Sequence, residues 1–166
     1  MKLSEKEMEI VEILEKDARL ATEDVAKMIG LSVEETEQSI KKLEEHKVIV
    51  RHISVIDWAK IDGYSGVTAM IDVKVTPKRG VGFDEIAERI YRFKEVDSVY
   101  LMSGAYDLSV IIEGKSMNEI AYFVHQKLST LDSVISTTTH FILKKYKHDG
   151  IIFGTENKDK RIVVSP

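Results

Sequence analysis

Cysteine is absent from this chain of 166 residues, which excludes disulfides and thiolate metal sites. Two prolines in the whole sequence leave few forced breaks. No run approaches the roughly 18 apolar residues of a membrane span, and no signal-peptide pattern opens the chain. A cytoplasmic protein with no membrane partner is expected. Histidine is also scarce: His46, His52, His125, His140 and His148 form no metal-ligand pair. No Ser/His/Asp order and no phosphate loop appears either. The sequence therefore offers no catalytic residues, no metal ligands and no cofactor motif. What is present is ordinary for a globular protein, 43% hydrophobic and 31% charged. The length suits one domain or two small ones.

Charge is unevenly placed. Met1–Val50 holds eight Lys and Arg against thirteen Asp and Glu, a net −5, while the remainder is +1. In the acidic part, Ser4 and Glu7 have the spacing of a capping box, in which a hydroxyl and a carboxylate satisfy each other's free amides. Met8, Ile10, Val11, Ile13 and Leu14 follow at helical spacing to near Asp17. Thr22 is placed to cap a second helix, Glu23–Ile29, with Gly30 as its stop and Leu31 buried in the turn. Ser32 and Glu35 form another capping box for a third helix, Val33 to about His46. Its inward residues are Val33, Thr36, Ile40 and Leu43; its outward ones are Glu34, Glu35, Gln38, Lys41, Lys42 and Glu45.

Three short helices, the last two joined by Gly-Leu-Ser, give the helix-turn-helix pattern, whose last helix enters a major groove. A three-helix bundle with a solvated charged face has the same pattern. Val48–Asp57 reads as a strand or two with a kink, the wing of a winged helix, and Trp58–Tyr64 as a connector.

The second half changes period. Val67, Ala69, Ile71, Val73 and Val75 share one face of a strand. Thr76–Gly82 is a loop in which Lys78 and Arg79 suit an anion, though a plain connector explains them as well. Phe83–Phe93 is an amphipathic helix with Phe83, Ile86, Ala87, Ile90 and Phe93 inward, and Glu85–Arg89 and Glu88–Arg92 pairs on its wet face. Val96–Gly114 reads as strand, tight turn, strand, with glycine at Gly104 supplying the turn's freedom. Ser116 and Glu119 form a third capping box for a helix to about Thr130, with Met117, Ile120, Ala121, Val124 and Leu128 inward. Val134–Tyr146 is the last long strand. The order βαββαβ predicts a four-stranded antiparallel sheet with both helices on one face. The other face carries Thr68, Met70, Ile111 and Phe141 or Ile142, apolar enough to seek a second copy of itself. Beyond Lys147, Thr155–Lys160 reads as a polar turn and Arg161–Val164 as a short strand.

The chain resembles the Lrp/AsnC family of transcription regulators from Leu3 to Lys147. The residues that carry this are Ile10, Leu14, Arg19, Ala26, Gly30-Leu31-Ser32, Ile40, Leu43 and Val48-Ile49, then Ser103-Gly104-Ala105-Tyr106-Asp107, then Val134 with Thr137–Thr139, then Lys144. No single motif decides it; their order and spacing do. The resemblance implies an α+β chain: a winged helix-turn-helix over 1–52, a linker strand and connector over 53–66, and a ferredoxin-like RAM domain over 67–147 for effector binding and oligomerisation. A C-terminal extension over 148–166 would follow. It implies double-stranded DNA as partner, contacted through Ser32, Glu34, Glu35, Gln38, Lys41, Lys42 and Arg51. It implies a small-molecule effector, an amino acid, held by Ser103, Gly104, Ala105, Tyr106, Asp107, Thr137, Thr138 and Thr139. Homodimers would assemble into tetramers or octamers.

Three departures stand out. Glu34, Glu35 and Gln38 begin the recognition face; glutamate accepts from cytosine and glutamine pairs adenine, but each carboxylate also repels phosphate. Lys47 stands where the family usually has glycine. The tail from His148 passes the family's usual end. The acidic first third also suits an assembly module that senses a small molecule without binding DNA. An enzyme is the third possibility, since some sirohaem decarboxylases share this two-domain plan.

Overall fold

The computed structural model describes residues 1–76 and 82–154. The anion-suited Lys78 and Arg79, the polar turn at 155–160 and the strand at 161–164 lie outside the described residues. The chain falls into two units, Met1–Ile56 and Asp57–Pro166.

Three helices make the first unit. Helix α1 spans Glu5–Lys16 and opens on the full Ser4/Glu7 capping box. Helix α2 spans Thr22–Ile29 and ends at Gly30, whose left-handed φ of 71° suits a residue without a Cβ. Thr22 is its first helical residue, not its cap. Ala21 holds the cap position and offers no side-chain bond. Helix α3 spans Val33–Glu45 behind the Ser32/Glu35 box. Ile10, Leu14, Val25, Ile29 and Leu43 form the core, with Ile40 and Leu31 packed partly against it. Val33, expected inward, is 43% exposed. Buried Thr36 donates its hydroxyl to Ser32 O at 2.9 Å, which removes the cost of its polar atom.

Lys47 follows this unit's last helix in the left-handed region, φ 58°, as the resemblance implies for a place that the family usually gives to glycine. Its conformation lets the Val48 amide turn back to Leu43 O at 2.9 Å. From there to Asp57 no strand forms. The sequence has β-branched residues there, but among the described residues no strand pairs with them, and a strand is a paired object. Val50 is consequently 77% and Ile53 62% exposed.

The second unit begins with a 3₁₀ turn, Trp58–Lys60, whose Trp58 ring stacks on Tyr64 at 4.7 Å. Strand β1 runs Val67–Val75, α4 Phe83–Tyr91, β2 Val96–Leu101, β3 Leu108–Gly114 and α5 Met117–Phe123, continued by a π-helical turn Val124–Leu128. Strand β4 runs Val134–Phe141. The sheet is antiparallel, in the order β2-β3-β1-β4. Ala69, Ile71 and Val73 of β1 and Leu108, Val110 and Ile112 of β3 pack with Ile86, Ile90, Ile120, Phe123 and Leu128 of the helices, all essentially buried. Both helix-surface ion pairs on α4 form.

Four details differ from the sequence reading. In α5, Phe123 takes an inward place, while Met117 and Ala121 stay exposed. Ser116 accepts from the Glu119 amide, but the Glu119 carboxylate accepts from Lys115 N at 2.6 Å, so the box is displaced by one residue. Strands β2 and β3 are joined by Met102–Asp107 rather than by a tight turn, and Gly104 is almost extended at φ 159°. Strand β4 stops at Phe141 because β1, its partner, begins at Val67; the last bond is Ile142 N to Thr68 O, 2.9 Å. The chain then makes a small hairpin, β5 at Lys147–His148 and β6 at Ile151–Ile152, turned through Asp149 and Gly150.

Helices cover one sheet face. Phe141 pairs with Ala69 and packs toward them, so Ile142 is the member of that pair on the open face. There Met70 lies beside His140, and Asp72 beside Thr138. His140 Nε2 is 3.1 Å from Asp72 Oδ2, a pair that sequence spacing gave no way to find.

Candidate functional site

Two places gather the polar residues singled out by the sequence, one in each unit. On α3, buried Thr36 and Leu43 fix which side faces the core. The opposite side carries Glu34, Gln38, Lys41 and Glu45, all exposed. The other three sequence candidates are not equally free. Ser32 and Glu35 hold each other: the Ser32 hydroxyl and amide donate to one Glu35 carboxylate oxygen at 2.6 and 3.0 Å. Those bonds hold the Glu35 carboxyl below its usual pKa, the Ser32 hydroxyl contributing most. Lys42 turns away and donates to Glu7 at 2.6 Å. Arg51 is exposed, on the segment without regular structure.

Glu7 was missed as more than a cap. It is only 7% exposed, closes the α1 box through the Ser4 amide at 2.7 Å and also receives Lys42. Its pKa falls to about 2, first through the Lys42 hydrogen bond and then through Ser4. The signal available was a capping glutamate inside an otherwise apolar helix face, with no hint of which lysine would arrive.

The second place is the connection Met102–Asp107. Its residues fold over the end of β1. Asp107 N donates to Val73 O at 3.1 Å, and its carboxylate Oδ2 accepts from Val75 N at 2.8 Å. The Asp107 carbonyl accepts from Met102 N at 2.9 Å. Lys74 Nζ donates to Ala105 O at 3.2 Å. Tyr106 reaches past β1 to β4, where its hydroxyl lies 3.1 Å from Thr138 Oγ1. Ser103, Gly104 and Ala105 are exposed; Tyr106 and Asp107 are half-buried. The three threonines divide. Thr138 is on the open face beside Asp72, whereas Thr137 and Thr139 pair with Val73 and Ile71 on the helix-covered face. The fold thus brings Tyr106 and Thr138 together and leaves Thr137 and Thr139 behind the sheet. At the other end of the β1–β3 pair lies an open cleft of about 430 Å³ lined by Gly63–Gly66 and Glu113–Lys115. It contains none of the sequence candidates.

Residues 3–44 match the AsnC-type helix-turn-helix domain, and residues 68–152 match the Lrp/AsnC ligand binding domain. The chain belongs to the Lrp/AsnC family. The HTH-type transcriptional regulator YugG of Bacillus subtilis is 68% identical over the whole length of both chains. A regulator of Pyrococcus furiosus, PF1734, is 34% identical over 90% of this chain and 97% of its own. Among solved structures, the NMB0573/L-Met complex from Neisseria meningitidis superposes with a TM-score of 0.71 at 22% identity, over 89% of this chain and 94% of that one. AsnC of Escherichia coli gives 0.69 at 20%, over 89% and 97%. The chain is accordingly a helix-turn-helix transcriptional regulator of the Lrp/AsnC type. No helix among the described residues is long and apolar enough to cross a membrane.

Proposed function

We propose that this regulator binds operator DNA through α3 and answers to an amino acid bound at the Met102–Asp107 connection. Residues 1–52 serve as the DNA-binding part, 67–147 as the effector and oligomerisation part, and 148–166 as an extension. The observation that carries the reading is the stripe Glu34, Gln38, Lys41, Glu45, left exposed on the helix that follows the helix-turn-helix turn. The amino-acid effector rests on polar groups meeting at one connection and on a fold shared with a protein solved with L-Met. Asp107 Oδ1 is the acceptor for an ammonium, since Oδ2 already serves Val75. Backbone amides around Gly104 suit a carboxylate. Thr138 with Tyr106 lines the same end of the open face, and Thr137 and Thr139 contribute only indirectly, through the placement of β4.

Assembly into dimers, and of dimers into tetramers or octamers, fits two surfaces. Among the described residues the open sheet face is uncovered, and Val48–Ile56 holds exposed β-branched residues with no strand to pair with. A duplex gel shift over a salt series, with the assembled full-length protein, tests the DNA reading. Binding that weakens linearly with log salt supports it. A second reading, an effector-sensing assembly module without DNA binding, has its own observation. The first fifty residues are net −5, and Lys42, one of their few outward cations, is neutralised by Glu7. Absence of any duplex binding at low salt selects that reading.

A further inference from the structure

Internal bonds remove Ser32, Glu35 and Lys42 from the reading face of α3, and the remainder is chemically unusual. Glu34 stands roughly 180° around the helix from buried Leu43 at 3.6 residues per turn. It is the second residue of α3, in the first turn, and such helices contact base edges with their N-terminal residues. Its carboxylate makes no hydrogen bond or ion pair among the described residues, whereas Glu44 is 3.2 Å from His52. Gln38 follows one turn on and Lys41 after it.

A carboxylate only accepts hydrogen bonds. In the major groove it meets acceptors at guanine N7 and O6, adenine N7 and thymine O4, and donors only at the amino groups of cytosine and adenine. Adenine sets its amino group beside its own N7, an arrangement that fits the amide of glutamine. Cytosine offers N4–H₂ with no acceptor on the same base edge, which fits glutamate. The wrong base leaves the charge desolvated against an acceptor, so discrimination comes from a penalty as much as from a bond. We propose that Glu34 selects the operator by requiring a cytosine at the base pair it meets, with Gln38 beside it favouring adenine. This rests on the DNA-binding reading above.

Site selection from a random duplex pool, using full-length wild type, Glu34→Gln, Glu34→Ala and Gln38→Ala, tests it. Wild type is expected to enrich a motif with cytosine at one position of each half-site, preferred by roughly five- to a hundredfold. Glu34→Gln should move that position toward adenine. Glu34→Ala should flatten it alone and tighten binding to mixed-sequence DNA, with thermal unfolding close to wild type. Gln38→Ala should flatten a neighbouring position and leave the cytosine in place. The same motif from wild type and Glu34→Ala overturns the assignment while leaving DNA binding intact. If wild type retains no duplex at low salt, the DNA-binding reading falls and this assignment with it.

Discussion

The two units use their polar residues differently. In the helical unit they close helix ends and neutralise one another, through Ser4 with Glu7, Ser32 with Glu35, and Glu7 with Lys42. What remains outside is a stripe with a sign pattern of its own. In the sheet unit they lock strands: Asp107 satisfies the Val75 amide, Lys74 holds the Ala105 carbonyl and Tyr106 reaches Thr138. A charged residue is therefore not a contact for a partner until its internal bonds have been subtracted. That subtraction leaves Glu34, Gln38 and Lys41 whole, halves the capacity of Asp107 and removes Glu35 and Lys42.

Asp107 gives the sharpest test of that accounting. Asp107→Asn retains an oxygen for Val75 but loses the charge. Effector affinity should fall by about 1.5–3 kcal/mol, or roughly ten- to a hundredfold. A thermal-shift screen of the standard amino acids on both proteins reads it. An amino acid that stabilises both equally would show that Asp107 only locks β1. The lysines come next. Lys41→Ala should lower the slope of log binding against log salt by about one unit, while Lys42→Ala should change it less, because its charge is already met by Glu7. Equal losses would break the distinction between free and spent cations.

Acid should test the Glu7–Lys42 pair as well. The Glu7 pKa is lowered in the fold from 4.5 to about 2. Its contribution to stability is therefore complete above about pH 4.5 and disappears as pH falls toward 2. Circular dichroism of wild type and Glu7→Gln across that window should show a steeper loss for wild type. The smallest effect belongs to Lys47. Lys47→Gly removes a Cβ from a left-handed residue, φ 58°, and should stabilise by roughly 0.5 kcal/mol after glycine's entropy cost. Denaturant unfolding would read that as a higher midpoint; a lower midpoint would show that the turn tolerates lysine without strain.

Features set by neighbours in sequence were legible. The Ser4 and Ser32 boxes, the stop at Gly30 and the βαββαβ order all follow from spacing within a turn or a strand, while the unusual Lys47 was legible only through the family resemblance. Features set across the chain were not. Lys42 finds Glu7 thirty-five residues away, and Asp107 finds the Val75 amide thirty-two away. No local pattern names such partners. The end of β4 was misjudged for the same reason: Leu143–Tyr146 has strand-like residues, but they pass the start of their antiparallel neighbour at Val67 and meet no strand there among the described residues. Thr137–Thr139 looked like one polar patch in sequence, yet the pleat sends its middle member to one face and its outer two to the other.

The Trp58–Tyr64 stack gives this protein an optical handle. Trp58 is the sole tryptophan, and it is 42% exposed. All indole emission therefore comes from the first residues of the second unit, while both cores and both candidate sites are dark. A colour change on adding DNA or an amino acid would report that the stretch Asp57–Gly66 has been rearranged, without any label attached. Tyr64→Ala, by unstacking the ring, supplies the reference spectrum for the opened state.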